Sequence, residues 1–273
     1  MKMKKIISQI YLWVLIALLY APLIVIAVYS FTEAKSLGNW TGFSLGLYKS
    51  LLFGDSHEAL MAAFKNTIII ALVASTIATA LGTTAAIGIF NLHNRRKKMV
   101  MNTLNNVPIL NPDIITGVSL FLLFVSLGVT QGYATLILAH VTFCTPYVVL
   151  SIMPRLQQMP GNIYEAALDL GATPFQAIRK VILPQIRSGM VTGFMLAFTL
   201  SIDDFEVSIF NLGTNGLETL PTYIYSDSRK GGLTPELRPL LTIIFLVVLL
   251  ILLIINIRAK KQAEKNDNKP QTF

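Results

Sequence analysis

Cysteine is all but missing from this sequence, and charge is scarce. A single cysteine, Cys144, in 273 residues leaves no partner for a disulfide within the chain and no thiolate cluster for a metal. Histidine is sparse as well: His57, His93 and His140 stand singly, and no nucleophile–base pair accompanies them. No G-x-x-x-x-G-K-[ST] occurs, so the chain has no phosphate-cradling loop and no means of hydrolysing ATP. No catalytic residue, metal site or cofactor is therefore assigned. Charged residues make up 13% of the chain, about half the share of a soluble domain. The formal net charge of +8 does not point to nucleic acid, because the basic residues sit between apolar runs instead of forming a patch interleaved with aromatics. Internal repeats are absent too. So is the matched pair of broken segments expected of an inverted-repeat secondary transporter.

What is abundant is apolar surface: 53% of the residues are hydrophobic and the mean hydropathy is +0.62. A helix crossing about 30 Å of hydrocarbon needs about 20 apolar residues in succession. Six stretches qualify, at about 10–31, 66–90, 107–127, 133–153, 190–212 and 239–257. In lipid the backbone must satisfy its own hydrogen bonds, and barrel strands would alternate in polarity at about ten residues each, so all six read as helices. The expected class is an all-α integral membrane protein with one transmembrane domain over 1–273. The third span is the least regular, because Pro108, Asn111, Pro112 and Asp113 crowd its first turns. The first follows Lys2, Lys4 and Lys5 and mimics a signal peptide, but its apolar run is too long and no small-x-small site follows, so it is expected to be retained.

Positive residues accumulate on the cytoplasmic side of a membrane. The N-terminus, the loop with Arg95, Arg96, Lys97 and Lys98, the loop at 154–189 and the tail hold sixteen of the 22 Lys and Arg residues. Lys35, Lys49, Lys65, Arg229, Lys230 and Arg238 lie on the other side. Both termini are therefore expected in the cytoplasm of a bacterial cell. The outer loops at 32–65 and 213–238, with Trp40 and several Tyr, are long enough to dock an external partner.

The loop at 154–189 has helical grammar of its own. Asn162 and Glu165 are spaced as a capping box ahead of Ala166, Ala167 and Leu168. Gly171 then stops the helix, since glycine takes the left-handed conformation freely. Thr173 and Pro174 read as N-cap and first residue of a second helix ending at Pro184. Glu165-Ala166-Ala167, Gly171 and Val181-Ile182-Leu183-Pro184 match the EAA-x3-G-x9-I-x-LP pattern, with Val for Ile as the one departure. In these residues the chain resembles the permease subunits of ABC importers. The resemblance implies a six-helix permease bundle whose loop, through Glu165, Ala166, Ala167, Gly171, Leu183 and Pro184, forms coupling helices against a cytoplasmic ATPase dimer.

The fifth span carries Asp203, Asp204 and Glu206. Each costs about 2.5–3.5 kcal/mol at a bilayer centre, so this stretch must face a water-filled path or partner charges. On a continuous helix Asp203 lies about 21 Å from Gly189, with Glu206 about 60° to one side and Asp204 about 100° to the other. Such an acidic arc suits a cationic cargo, and Phe198, Phe205 and Tyr147 can add cation–π contacts. The competing reading is structural: the acids pair with bases of a neighbouring subunit or cap a break in the helix. Asp113, after Pro112, reads as a cap of the third span.

Phe198-Thr199-Leu200-Ser201-Ile202-Asp203-Asp204-Phe205, with Thr142 to Tyr147 and Pro112-Asp113-Ile114, resembles the permease family of spermidine and putrescine importers. Glu206 departs from it, standing where an apolar residue is expected. The resemblance implies a second homologous permease subunit, an external polyamine-binding protein and lipid as partners. Its rivals are an ABC permease for another organic cation or a metal chelate, and a stand-alone ion-driven carrier or channel, which would need no coupling loop.

Overall fold

Helix is the only regular structure among the described residues, which in this computed structural model are 2–34, 38–54, 57–160, 162–230 and 233–267. Lys35 and Lys269 of the charge count lie outside them. The chain divides into two compact units, residues 60–225 on one hand and residues 1–59 with 226–273 on the other.

In the second of these, α1 (Lys2–Tyr29) packs along α12 (Leu237–Asp267), with the short α2 (Gly46–Phe53) against α12. The apolar window of α1 buries none of its residues within the chain, as fits a helix whose solvent is hydrocarbon. Polar contacts gather at the other end. Arg238 donates to the Ala34 carbonyl at 2.7 Å, and Ser50 to Glu236 at 2.6 Å.

The larger unit holds α3 (His57–Phe90), α4 (Arg95–Leu110), α5 (Asp113–Ser126), α6 (Tyr133–Gln157), α7 (Ile163–Asp169), α8 (Pro174–Ala177), α9 (Leu183–Asp203) and α10 (Glu206–Asn211), and it ends in α11 (Leu220–Arg229). Its spine is the pair α6 and α9. Every fourth position of α9 facing α6 is small, Gly189, Gly193, Ala197 and Ser201, and all four are buried. A Cβ on Gly193 would stand 3.1 Å from Val148, and one on Gly82 of α3 only 2.7 Å from it. Small residues let backbones approach where lipid offers no hydrophobic drive to associate. Hydroxyls in α3 are satisfied locally, Thr76, Thr79 and Thr83 each donating to the carbonyl one turn back. Cys144 is buried and points its thiol at the Ala197 carbonyl.

Among the described residues, four helices are long and apolar enough to cross a membrane: 9–29, 57–90, 133–157 and 174–203. The third expected span, 107–127, is not one helix. It lies in α4 and α5, which meet at 104° and count as a fifth crossing if taken together. Pro112 explains the bend: it lacks an N–H and forces Asn111 into the extended region, observed at φ −83°, ψ 136°. The fifth expected span, 190–212, is also broken, with α9 ending at Asp203 and α10 starting at Glu206. The sixth falls in α12, whose apolar stretch is Leu237–Leu250.

The bracket is tighter than 154–189, since Pro154 still lies in α6 and Gly189 already in α9. Gly171 has φ +84°, and the Thr173–Gln176 capping box opens α8. Two expectations fail here. Asn162 makes no side-chain cap bond and contributes only its carbonyl, which accepts from Ala166. The second helix does not stop at Pro184. It widens into a π-helical turn at Ile178–Ile182, with the Leu183 N–H donating to Ile178, and runs on into α9. The wider turn accommodates the proline ring and its missing N–H, so that the helix continues from Pro174 to Asp203.

Candidate functional site

Where α9 stops, its last carboxylate and the first one of α10 are set at the mouth of a cavity of about 250 Å³. Asp113, Asp203, Asp204 and Glu206 line it, with Phe143, Thr199, Leu200 and Phe205. No Lys or Arg is among these lining residues. Four carboxyl groups around one recess make a strongly cation-attracting site, because each adds to the potential the others create.

The carboxylates are not equivalent. Asp203 and Glu206 are exposed, whereas the Asp204 side chain is 6% exposed and folded back into the protein. It accepts from the Val207 N–H at 3.2 Å, the Ser208 N–H at 2.8 Å and the Ser208 hydroxyl at 2.7 Å. Asp204 therefore caps α10, satisfying backbone donors at the start of a helix that would otherwise be orphaned. His140 of α6 stands beside it, with Nε2 3.4 Å from Asp204 Oδ2. The same histidine reaches Ser201 Oγ at 2.6 Å and Ser208 Oγ at 3.0 Å.

Close packing brings Asp113 to this point. α5 lies on α10 at Gly117, where an added Cβ would sit 2.9 Å from the Glu206 carbonyl. Asn211 ties the two helices by donating to the Gly117 carbonyl at 3.2 Å. Phe205 is held by Tyr225, their rings 4.7 Å apart.

Of the residues expected to meet cargo, Asp203, Asp204, Phe205 and Glu206 converge on the cavity. Phe198 and Tyr147 are not among its lining; Phe198 stacks on Phe194 at 6.1 Å. The continuous acidic arc is corrected, because the helix ends inside it and Asp204 turns inward. Asp113 is corrected too: the start of α5 has no side-chain cap, and Asp113 lines the cavity. His140 and Phe143 were missed, although an ionisable residue within an apolar span is itself a functional signal.

The bracket residues also gather. Glu165, Tyr164 and Leu168 line a second cavity of about 510 Å³ with Phe90, Asn91, Leu92 and His93. Ala167 and Ile182 are buried, Ala166, Gly171 and Pro184 exposed, and Leu183 half-buried. Around the Gly171 turn, Leu170 and Phe175 stand 90% and 67% exposed. Among the described residues no group of three or more His, Cys, Asp or Glu is arranged to hold a metal ion.

Residues 78–260 match the family described as binding-protein-dependent transport system inner membrane component. This chain belongs to that family. Among its relatives, the putrescine transport system permease protein PotI of Escherichia coli (strain K12) is 40% identical over 232 residues, which cover 83% of this chain and 81% of the relative. The spermidine/putrescine transport system permease protein PotC of Haemophilus influenzae is 39% identical, covering 86% and 90%. A chain of a bacterial ABC transporter that imports the acidic polysaccharide alginate shares the fold, with a TM-score of 0.70 at 13% identity over 95% of this chain and 96% of that one. A chain of an inward-facing MetNI methionine ABC transporter aligns with a TM-score of 0.55 at 19% identity, covering 78% and 98%. The permease is thus a transport component of an all-helical, multi-pass membrane type, and not an enzyme.

Proposed function

We propose that the permease carries polyamines of the spermidine and putrescine type into the cytoplasm, one half of a pore completed by a second homologous subunit. The observation that carries this reading is the cavity of four carboxylates at a broken span. A flexible polycation satisfies several carboxylates at once and relieves their mutual repulsion, and the faces of Phe143 and Phe205 suit its charged ends. The names of the relatives, which covered most of their own length, support the same class of cargo.

Asp203 and Glu206 are the residues assigned to cargo, since they are exposed and, among the described residues, no hydrogen bond or ion pair consumes their carboxylates. Asp113 completes the ring, and Asp204 contributes charge from within the cap. The bracket from Glu165 to Pro184 is assigned to a cytoplasmic ATPase dimer, and both termini are assigned to the same cytoplasmic side. Exposed Leu170 and Phe175 beside a rigid glycine turn are what a docking surface requires. An external polyamine-binding protein is assigned to the opposite face, and the metal-chelate rival loses ground because the acidic lining suits a bare cation.

Uptake of labelled spermidine and putrescine by the reconstituted complex tests the reading. Asp203→Asn with Glu206→Gln removes charge and keeps shape, so the doubly neutralised complex is expected to assemble at normal yield and lose most uptake. Full uptake at normal yield rejects the cargo site. Glu165→Lys or Gly171→Val is expected to weaken ATPase association or uncouple hydrolysis; normal transport with both changes rejects the coupling surface.

A further inference from the structure

Two residues, Asp204 and Phe205, join α9 to α10, and neither is a proline or glycine that would break a helix by itself. Something outside the span holds the break. His140 comes from α6, is fully buried, and touches both sides of the interruption: Ser201 in the last turn of α9 through Nδ1 and Ser208 in α10 through Nε2. The network closes with one neutral tautomer. Ser201 donates to Nδ1, Nε2–H donates to Ser208 Oγ, and the Ser208 hydroxyl donates to Asp204. Every buried polar atom of the cluster is then paired, which is what a water-poor interior demands.

We propose that His140 is a positioning residue of the carboxylate site, clamping the end of α9 to the start of α10 and thereby holding Asp204 in the cap while Asp203 and Glu206 are presented to the cavity. The clamp divides the acids into one structural member and two that are free to meet a cation. Its consequence for transport rests on the polyamine reading; the clamp itself does not.

Carboxyl footprinting of the purified, assembled transporter with a water-soluble carbodiimide separates the two. In the unmodified complex Asp203 and Glu206 are expected to react and Asp204 to be protected. His140→Ala is expected to raise Asp204 labelling about tenfold, the scale on which loss of a buried hydrogen-bonded tie opens a local structure. His140→Gln, whose amide can still donate to Ser208, is expected to restore most of the protection. If His140→Ala does not assemble, Ser201→Ala and Ser208→Ala carry the test, with Ser208→Ala the more reactive because Asp204 loses its hydroxyl partner as well. In uptake, His140→Ala is expected to raise the half-saturating polyamine concentration several-fold while the maximal rate per assembled complex changes little. Unchanged protection of Asp204 in the alanine variants overturns the clamp, as does equal exposure in His140→Ala and His140→Gln, which marks general loosening. Full uptake by the Asp203→Asn, Glu206→Gln complex would sink the cargo reading and leave the footprint standing.

Discussion

Two apolar spans of this permease are broken, and they break for different reasons. The first interruption, between α4 and α5, is written locally: Asn111 is extended because Pro112 follows it. Between α9 and α10 the chain has no such residue. There, two helical ends are held apart and tied together by a histidine from α6, a serine on each side and an aspartate that serves as cap. Both breaks deliver carboxylates to the same cavity, one from the first, Asp113, and three from the second, Asp203, Asp204 and Glu206. A proline break survives in almost any surroundings, whereas a break made of tertiary hydrogen bonds is only as firm as its partners. The second is therefore where sensitivity to mutation should concentrate.

The largest effect is expected for Asp204→Ala. It removes the cap of α10 and strands the Ser208 hydroxyl together with the Val207 and Ser208 N–H groups, a loss of about 2–4 kcal/mol. Thermal unfolding of the purified permease should show it, and a change below about 0.5 kcal/mol would mean the second break is not held by this cap. Gly117→Val comes next, since its side chain collides with the backbone of α10 at the contact between the two broken spans. Overpacking there is expected to cost about 1–3 kcal/mol, visible as a lower yield of assembled complex. Were the yield unaffected, α5 and α10 would not be packed as described.

Pro112→Ala is expected to change stability by less than about 1 kcal/mol while releasing Asn111 from the extended region. Spin labels at Leu104 and Leu122 should report a broader or longer distance distribution as the corner opens. An unaltered distribution would place the first break under tertiary control as well and erase the contrast. The smallest effect is expected at one of two candidate caps in the bracket. Thr173→Ala removes a capping box and is expected to cost about 1 kcal/mol, whereas Asn162→Ala, whose side chain caps nothing, should stay within about 0.5 kcal/mol. Equal losses in the two variants would contradict the difference in their hydrogen bonding.

The bracket was the most legible part of the chain, because turn and cap chemistry is short-range. Gly171 adopts its left-handed conformation and Thr173 its cap much as their neighbours in sequence dictate. Asn162 shows where that logic ends: a residue able to cap does not have to. Pro184 shows it again, as a π-helical turn accommodates a proline that reads as a helix stop. At the site, the sequence marked the right segment but not its shape. Three acids in one span demanded a polar environment, yet helical-wheel geometry presumed a helix that ends at Asp203. Phe198 is near Asp203 only along that imagined helix, Tyr147 is an aromatic of the fourth span that sequence alone cannot place, and Asp113 reads as a local cap, which hides its place at the cavity.

By itself, the sequence determined that this chain lives in a membrane as helices, that a Glu165–Pro184 bracket interrupts them, and that the segment around Asp203 cannot face lipid. Those conclusions follow from hydration costs and from short-range backbone chemistry, which act within one turn or one apolar run. Only the tertiary structure decided that the fifth span breaks, that Asp204 is spent on a cap while Asp203 and Glu206 stay exposed, and that His140 and Asp113 belong to the same site. Residues 64 or more positions apart in sequence, Asp204 and His140 or Gly117 and Asn211, meet there. No periodicity records such meetings, because they depend on the small face of α9 closing on α6 and on Gly117 letting α5 approach the backbone of α10.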